Sequence, residues 1–198
     1  MSKLRGVFIL ACSLAAVSCT LRQPAVRTDS FDFDLPSAPA GRPGGRSITV
    51  LPFTAAPGAS GQMLLYRVDD VRYERDFYNR WLVPPAHLLT GGLRQWLGQA
   101  RVGEIREPSS PLASDLIVQP RLTELYADYR NTSQPRAIVA MTIVVMQRQA
   151  SVSRQVFERS YRREVPMIGI SPEAAAEGWS RGVADILTAF AVDLRRVD

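Results

Sequence analysis

The sequence has few residues that could carry catalysis or hold a metal. Its 198 residues include two cysteines and one histidine. His87 has no serine, cysteine or acid at a spacing diagnostic of a catalytic site, and a general base needs a nucleophile within hydrogen-bond reach. The sequence also has no phosphate-binding glycine loop and no metal-ligand spacing. We therefore predict a protein that is not an enzyme and needs no metal or cofactor.

The N-terminal apolar run is too short to span a membrane. It covers 7–17, about eleven residues, whereas a spanning helix needs about 20. Lys3 and Arg5 precede this run, and small residues follow it. A basic start, a short apolar core and small residues before a break are typical of a secretory signal peptide. We predict a signal peptide over 1–18.

The end of the apolar run predicts a lipid anchor. Ala16-Val17-Ser18-Cys19 resembles a lipobox, in which lipid is attached to the Cys thiol and cleavage leaves that residue first. Cys12 is the alternative, although it would leave an apolar core of about five residues, below the usual seven to fifteen. With cleavage before Cys19, the mature chain keeps only the lipidated cysteine, which excludes a disulfide framework and a thiol nucleophile.

The residue after the lipidated cysteine indicates which of the two membranes holds the protein. In many Gram-negative bacteria an Asp directly after the lipidated Cys retains lipoproteins at the inner membrane, and Thr20 stands there instead. We expect an outer-membrane lipoprotein that faces the periplasm. The net charge is +5, but the positive residues are scattered along the chain, and we predict no nucleic-acid partner.

Composition divides the rest of the chain into a tether and one domain. Residues 20–46 are rich in Pro and Gly, a composition that stays extended and packs poorly. Within them, 31–35 alternates apolar and acidic residues like a short edge strand. We predict a lipidated cysteine and flexible tether over 19–46, followed by a single periplasmic domain over 47–198.

Hydrophobic patterning predicts strands and two helices in this domain. Shorter strands are expected at 48–53, 63–68 and 71–75, and three long strands, joined by short turns into an antiparallel meander, are expected at 115–129, 137–149 and 152–165. Pro84-Pro85 can begin a helix that continues to Ala100. Ser171 can cap a second helix, whose apolar stripe is continuous to the C terminus. We predict an α+β fold: a mostly antiparallel sheet with two helices on one face, as a two-layer sandwich.

The stretch over 63–89 resembles a known family. It contains the strand-like Leu65-Tyr66-Arg67, and 76–89 reads Asp-Phe-Tyr-Asn-Arg-Trp-Leu-Val-Pro-Pro-Ala-His-Leu-Leu. Together with the lipobox, these motifs resemble those of the ABC-type transport auxiliary lipoproteins, the PqiC-like group associated with Mce-domain transport systems. The resemblance extends in order of elements over 30–198 and is most specific over 66–89.

The resemblance implies partners rather than chemistry. It implies an accessory, binding or scaffolding role in lipid transport between the inner and outer membranes, alongside an Mce-domain protein, an ABC permease and an ATPase. A neighbouring copy of the same chain is an alternative partner. Two other functions stay open: an outer-membrane assembly or envelope-integrity lipoprotein, and a lipid carrier with an apolar cavity between helices and sheet.

Five residues in this stretch are candidates for partner binding. Aromatic residues and arginine are enriched where protein interfaces concentrate their binding energy. The candidates are Tyr66, Arg67, Tyr78, Arg80 and Trp81. The alternative for Trp81 is structural, because it could instead close the end of the sheet together with Leu82.

Overall fold

The computed structural model describes residues 27–149 and 152–197. The predicted signal peptide, Cys12 and Cys19 lie outside the described residues. Within them the elements follow in this order: β1 (Asp29–Phe31), β2 (Ser47–Val50), β3 (Thr54–Ala55), a 3-10 turn (Pro57–Ala59), β4 (Met63–Arg67), β5 (Tyr73–Trp81), α1 (Pro85–Gln99), β6 (Glu104–Arg106), β7 (Leu116–Asp128), β8 (Arg136–Gln149), β9 (Val152–Pro166) and α2 (Pro172–Leu194).

The three longest strands form the antiparallel meander that the sequence predicts. β7 pairs with β8 along its whole length, and β8 pairs with β9 in the same way. Short connections between long apolar or alternating runs force this arrangement, because neighbouring strands can then only fold back on one another. The fold therefore contains an α+β arrangement of a nine-stranded sheet and two helices.

The sheet as a whole is mixed, which corrects the expectation of a mostly antiparallel one. In the described part of the chain, five of the eight strand pairings are parallel. β2, β3 and β4 follow one another along the same side of β7, all parallel to it. Parallel strands need a long crossover connection, and such pairings between distant segments leave no mark in local patterning.

Helix α2 packs closely on β8 and β9. Ser171 caps it as predicted, because its hydroxyl accepts a hydrogen bond from the Ala174 N–H at 3.2 Å. Close approach depends on two glycines on the buried face of the helix. A Cβ at Gly182 would lie 2.6 Å from Cγ1 of Val139, and one at Gly178 would lie 2.5 Å from the Cβ of Ala137. Helix α1 packs against β2, β6 and α2.

The described part of the expected tether packs on the domain. The Phe33 ring stacks on Trp81 with centroids 4.5 Å apart, and the Asp34 N–H donates to the Ser180 hydroxyl at 3.0 Å. Further backbone N–H groups donate to the end of α1 and the turn after it, from Ala38 to Gln99, from Gly41 to Ala100 and from Gly44 to Arg101. Residues 29–44 therefore form an ordered strap, and its edge strand begins two residues earlier than expected.

Neither helix of the described residues combines the length and the apolar character needed to cross a bilayer.

Candidate functional site

Trp81 belongs to the core and does not lie on a surface. Its side chain is 2% exposed and packs between Phe33 and Trp179, whose ring centroid lies 5.3 Å away. It ends β5, a strand that continues well past the expected end at residue 75. The structural alternative therefore holds for Trp81, which cannot contact a partner from this position.

Tyr66 and Arg67 hold the β4–β5 hairpin together. The Tyr66 ring stacks on Tyr129 with centroids 5.1 Å apart, and its hydroxyl donates to the Asp76 carboxylate at 2.8 Å. Burial and the neighbouring carboxylate raise the pKa of Tyr66 well above its usual value, which keeps the hydroxyl protonated as a donor. The Arg67 guanidinium donates to the carbonyls of the turn that joins the two strands, those of Asp69 and Asp70.

Tyr78 is exposed because β5 contains a bulge. Leu65 of β4 pairs with Arg75, but Met63, two residues earlier, pairs with Arg80 instead of residue 77. The extra residues leave the ladder, and Phe77 and Tyr78 are 79% and 57% exposed. We call these two residues the aromatic bulge.

Asp76 fixes the aromatic bulge. Its carboxylate accepts hydrogen bonds from the Tyr78 N–H at 2.9 Å, the Asn79 N–H at 3.0 Å and the Asn79 side-chain amide at 2.9 Å. Burial raises the pKa of Asp76, but these bonds and the one from Tyr66 outweigh it, so the pKa lies below the ordinary 3.8. The carboxylate is therefore ionised at neutral pH, and four donors hold the bulge in place.

Three arginines and a tyrosine share one face of the hairpin. Residues directly opposite in an antiparallel pair project to the same side of the sheet. The opposed pairs are Met63 with Arg80, Leu65 with Arg75 and Arg67 with Tyr73. We call these six residues the hairpin outer face. Leu64, between two of them, is fully buried on the other side.

A groove lies beside the hairpin outer face. It has a volume of about 430 Å³ and is lined by residues of the hairpin, the 3-10 turn and β7: Gly58, Leu65, Tyr73, Arg75, Thr123, Glu124, Leu125 and Tyr126. Tyr73 and Tyr126 meet edge to face at 5.5 Å, and the Arg67 guanidinium lies 5.7 Å from the centre of the Tyr73 ring. The groove thus combines aromatic walls with arginine.

Two arginines of the hairpin outer face have no ionic partner among the described residues. Arg67 approaches Asp70, and Glu124 of the groove is neutralised by Arg162 at 2.7 Å. Arg75 and Arg80 form no ion pair within the described part of the chain, whereas nine other arginines there do. The hairpin outer face is therefore cationic, with two guanidinium groups available to an external anion.

The single histidine of the sequence lies at the surface. His87 lies exposed in the first turn of α1, and no hydrogen bond is found from its imidazole to another described residue. No group of three or more His, Cys, Asp or Glu side chains in that part of the chain is placed to hold a metal ion.

Tyr78 and Arg80, which the sequence singles out as candidates, are exposed on the hairpin, and Phe77, Tyr73, Arg75 and Tyr126 lie in the same region without having been singled out. The period-two spacing of Tyr73 and Arg75 places them on one strand face and could have found them. Tyr126 could not be found in this way, because it comes from β7 and reaches the groove only through the parallel pairing of β4 with β7.

Comparison with known proteins finds similar structures but no matching sequence family. No family model matches the chain, and no curated protein matches it. A crystal structure of protein XCC0632 from Xanthomonas campestris, described by the family model DUF330, superposes with a TM-score of 0.73 at 14% identity, covering 83% of this chain and 93% of that one.

Two further solved structures are similar. A crystal structure of an uncharacterised protein has a TM-score of 0.63 at 16% identity and covers 81% of this chain and 99% of that one. The hypothetical protein CT253 from Chlamydia trachomatis has a TM-score of 0.50 at 10% identity, covering 78% and 91% of the two chains. At these identities the similarity establishes the fold alone.

Proposed function

We propose that this chain is a lipid-anchored periplasmic accessory component of an ABC-type, Mce-associated lipid transport system. In this role it binds or scaffolds a partner protein between the inner and outer membranes and catalyses no reaction. Lipid on Cys19 anchors it to the outer membrane. The observation that carries the proposal is the cationic hairpin outer face, with its neighbouring aromatic groove.

The residue types of this face suit protein recognition. Tyrosine and arginine are enriched among the few residues that dominate binding energy at interfaces. Arg75 and Arg80 lack carboxylate partners within the described chain, so a partner can neutralise them without first breaking an internal ion pair. Complementary charge speeds association and sets register. The chemistry therefore fits a partner that presents an acidic segment with an apolar side chain for the groove.

We infer that both helices cover one face of the sheet, as a two-layer sandwich, and that the hairpin outer face belongs to the uncovered side. Leu64 is buried whereas its neighbours in β4 project the other way, and α1 and α2 contact each other. A surface on the uncovered side needs no rearrangement of the core to receive a partner, which favours binding to a preformed site.

The sequence supports the same proposal independently. The lipobox-like end of the signal sequence and the motifs over 66–89 are the features that resemble the auxiliary lipoproteins. Similarity in fold to a DUF330 protein is compatible with it but carries no function. A soluble lipid carrier is less well supported, because Trp179, Phe190 and Leu97 fill the space beneath the helices.

Co-purification tests this proposal. The full-length chain, carrying an affinity tag after residue 198, is isolated from its own organism in mild detergent, and co-purifying proteins are identified by mass spectrometry. We expect an Mce-domain protein, and with it components of the ABC permease. Recovery of outer-membrane assembly proteins in place of any Mce-domain protein would contradict the proposal and favour an envelope-integrity lipoprotein.

A further inference from the structure

The aromatic bulge exposes apolar surface that the core does not use. Phe77 is 79% exposed and Tyr78 is 57% exposed. Each aromatic side chain can bury about 150–250 Å². Leu82, the residue after β5, is 59% exposed. None of these three side chains lines the groove, and none belongs to the hairpin outer face.

The bulge is built to stay exposed. The Asp76 carboxylate binds the backbone N–H groups of Tyr78 and Asn79, which fixes the backbone on the C-terminal side of Phe77. The core position at the end of the strand is already filled by Trp81. A change in the backbone of the bulge that turned Phe77 and Tyr78 inwards would break these hydrogen bonds.

The chain enters the domain beside this bulge. β1 runs parallel to the end of β5, with Asp29 paired to Asn79 and Phe31 paired to Trp81. Residues that precede β1 approach the domain from the side of Phe77. Eight residue steps separate Cys19 from Arg27, and a chain of that length reaches at most about 28 Å. A lipid on Cys19 would thus hold the bulge edge near the membrane surface.

Charges around the bulge indicate how it would meet that surface. Arg27 and Arg80 are exposed nearby, but so are Asp29, Asp32 and Glu74. The opposite charges offset one another, so attraction to anionic headgroups is not the main force. The remaining contribution is the transfer of aromatic and leucine side chains into the interface, where tyrosine is enriched because its ring is apolar and its hydroxyl is polar.

We propose that Phe77, Tyr78 and Leu82 insert into the lipid headgroup region beside the anchored N terminus and so fix the orientation of the domain on the bilayer. This inference rests on the lipid anchoring in the proposed function. The lipid attaches the chain to the bilayer at its N terminus, and the aromatic bulge adds a second contact that fixes the orientation of the domain. The partner of this surface is the bilayer itself.

Site-specific fluorescence tests the insertion. No cysteine follows Cys19 in the sequence, so a single introduced cysteine can be labelled in the full lipidated protein. Phe77→Cys carries an environment-sensitive fluorophore, and the labelled protein is reconstituted into phosphatidylethanolamine and phosphatidylglycerol vesicles that contain nitroxide lipids. Leu112→Cys is the control, because Leu112 is similarly exposed, at 63%, but precedes β7 at the opposite end of that strand from β4.

We expect the fluorophore at residue 77 to be quenched several-fold more strongly than the one at residue 112, and Asp76→Ala to reduce this quenching. Raising the salt from about 0.1 M to 1 M, which screens charges strongly, should leave the quenching unchanged. Vesicle flotation is measured on the same samples. Protein that floats but shows equal quenching at both positions overturns the insertion alone, and protein that does not float overturns the lipid anchor as well. Quenching that disappears at high salt overturns the apolar mechanism.

Discussion

The Tyr66 hydroxyl donates a 2.8 Å hydrogen bond to the carboxylate of Asp76, across the β4–β5 hairpin. The same carboxylate accepts the N–H groups of Tyr78 and Asn79. One acidic side chain therefore joins the two strands and shapes the bulge between the hairpin outer face and the edge where the N-terminal strap pairs. Both surfaces to which we assign binding depend on this single group.

We predict that Asp76→Ala destabilises the domain by about 2 kcal/mol, since hydrogen bonds to a charged group contribute about 1.5–3 kcal/mol and several are lost together. Urea unfolding of the purified domain measures this. Glu74→Ala is the control, because Glu74 is exposed and lies 3.7 Å from Arg72, and surface changes usually stay within about 0.5 kcal/mol. If the two variants were equally stable, the hydrogen bonds of Asp76 would not stabilise the hairpin as we infer.

The same carboxylate gives a pH dependence of known sign. The pKa of Asp76 in the folded protein lies below its ordinary value of 3.8. Its stabilising effect is therefore fully present above pH 3.8 and is lost as the pH falls through the lower, folded value. We predict that the difference in unfolding free energy between wild type and Asp76→Ala is constant near neutral pH and narrows in acid. If the difference in unfolding free energy grew in acid, it would contradict a lowered pKa for Asp76 in the folded protein.

Truncation of Trp81 and truncation of Tyr78 should have very different effects on stability. Trp81→Ala removes a fully buried indole from between Phe33 and Trp179, so we predict a loss of about 3–5 kcal/mol. Tyr78→Ala removes an exposed ring and should change stability by less than about 0.5 kcal/mol. Thermal or urea unfolding decides the matter. A Trp81→Ala domain that is as stable as wild type would contradict the assignment of Trp81 to the core.

Two helical glycines offer a matched pair. A Cβ at Gly182 would meet Cγ1 of Val139 at 2.6 Å, whereas one at Gly91 would meet nothing within 4 Å. We predict that Gly182→Ala destabilises the protein by about 1–3 kcal/mol through overpacking. Gly91→Ala should stabilise it by up to about 1 kcal/mol, because alanine is the better helix former. The two unfolding curves should shift in opposite directions, and a shared direction would argue against the close packing of α2.

The lipid anchor is testable in cells. We predict that Cys19→Ser abolishes incorporation of labelled palmitate, because the thiol is the acylation site, whereas Cys12→Ser leaves it intact. Label that persists in Cys19→Ser and vanishes in Cys12→Ser would move the anchor to Cys12. Membrane fractionation then tests location: the wild-type chain should follow outer-membrane markers, and Thr20→Asp should shift it towards the inner membrane.

Sequence patterns within single segments predicted the helices and strands that depend mainly on those segments. Ser171 and the apolar stripe after it specify α2, and the long alternating runs with short turns specify β7 to β9. The parallel pairing of β2 with β7 joins residues 68 positions apart, from Ile48 to Leu116, and nothing near either segment encodes it. The packing of the strap also depends on distant residues. Its composition suggests a flexible chain, but Phe33 finds Trp81 only in the folded domain.

The sequence indicates the hairpin but not the arrangement of its side chains. The aromatic residues over 76–81 draw attention to β5. Tyr78 and Trp81 are three positions apart, so strand alternation alone places them on opposite faces of the sheet. It does not say which of the two faces is buried, and the sequence therefore did not separate the exposed Tyr78 from the buried Trp81. The bulge is specified by Asp76, whose carboxylate can cap nearby N–H groups in many local structures, so its effect could not be read from the chain alone.

The central claim is tested most directly by the affinity of the purified domain for the Mce-domain protein of the same organism. Removing a residue that dominates an interface costs about 2 kcal/mol or more, so Arg75→Ala and Arg80→Ala should each raise Kd by about 30-fold. Arg154→Ala, an exposed arginine of β9, should leave Kd unchanged, and all three variants should unfold like wild type. A wild-type domain that does not bind the Mce-domain protein, or arginine variants that bind it as tightly as wild type does, would contradict the account.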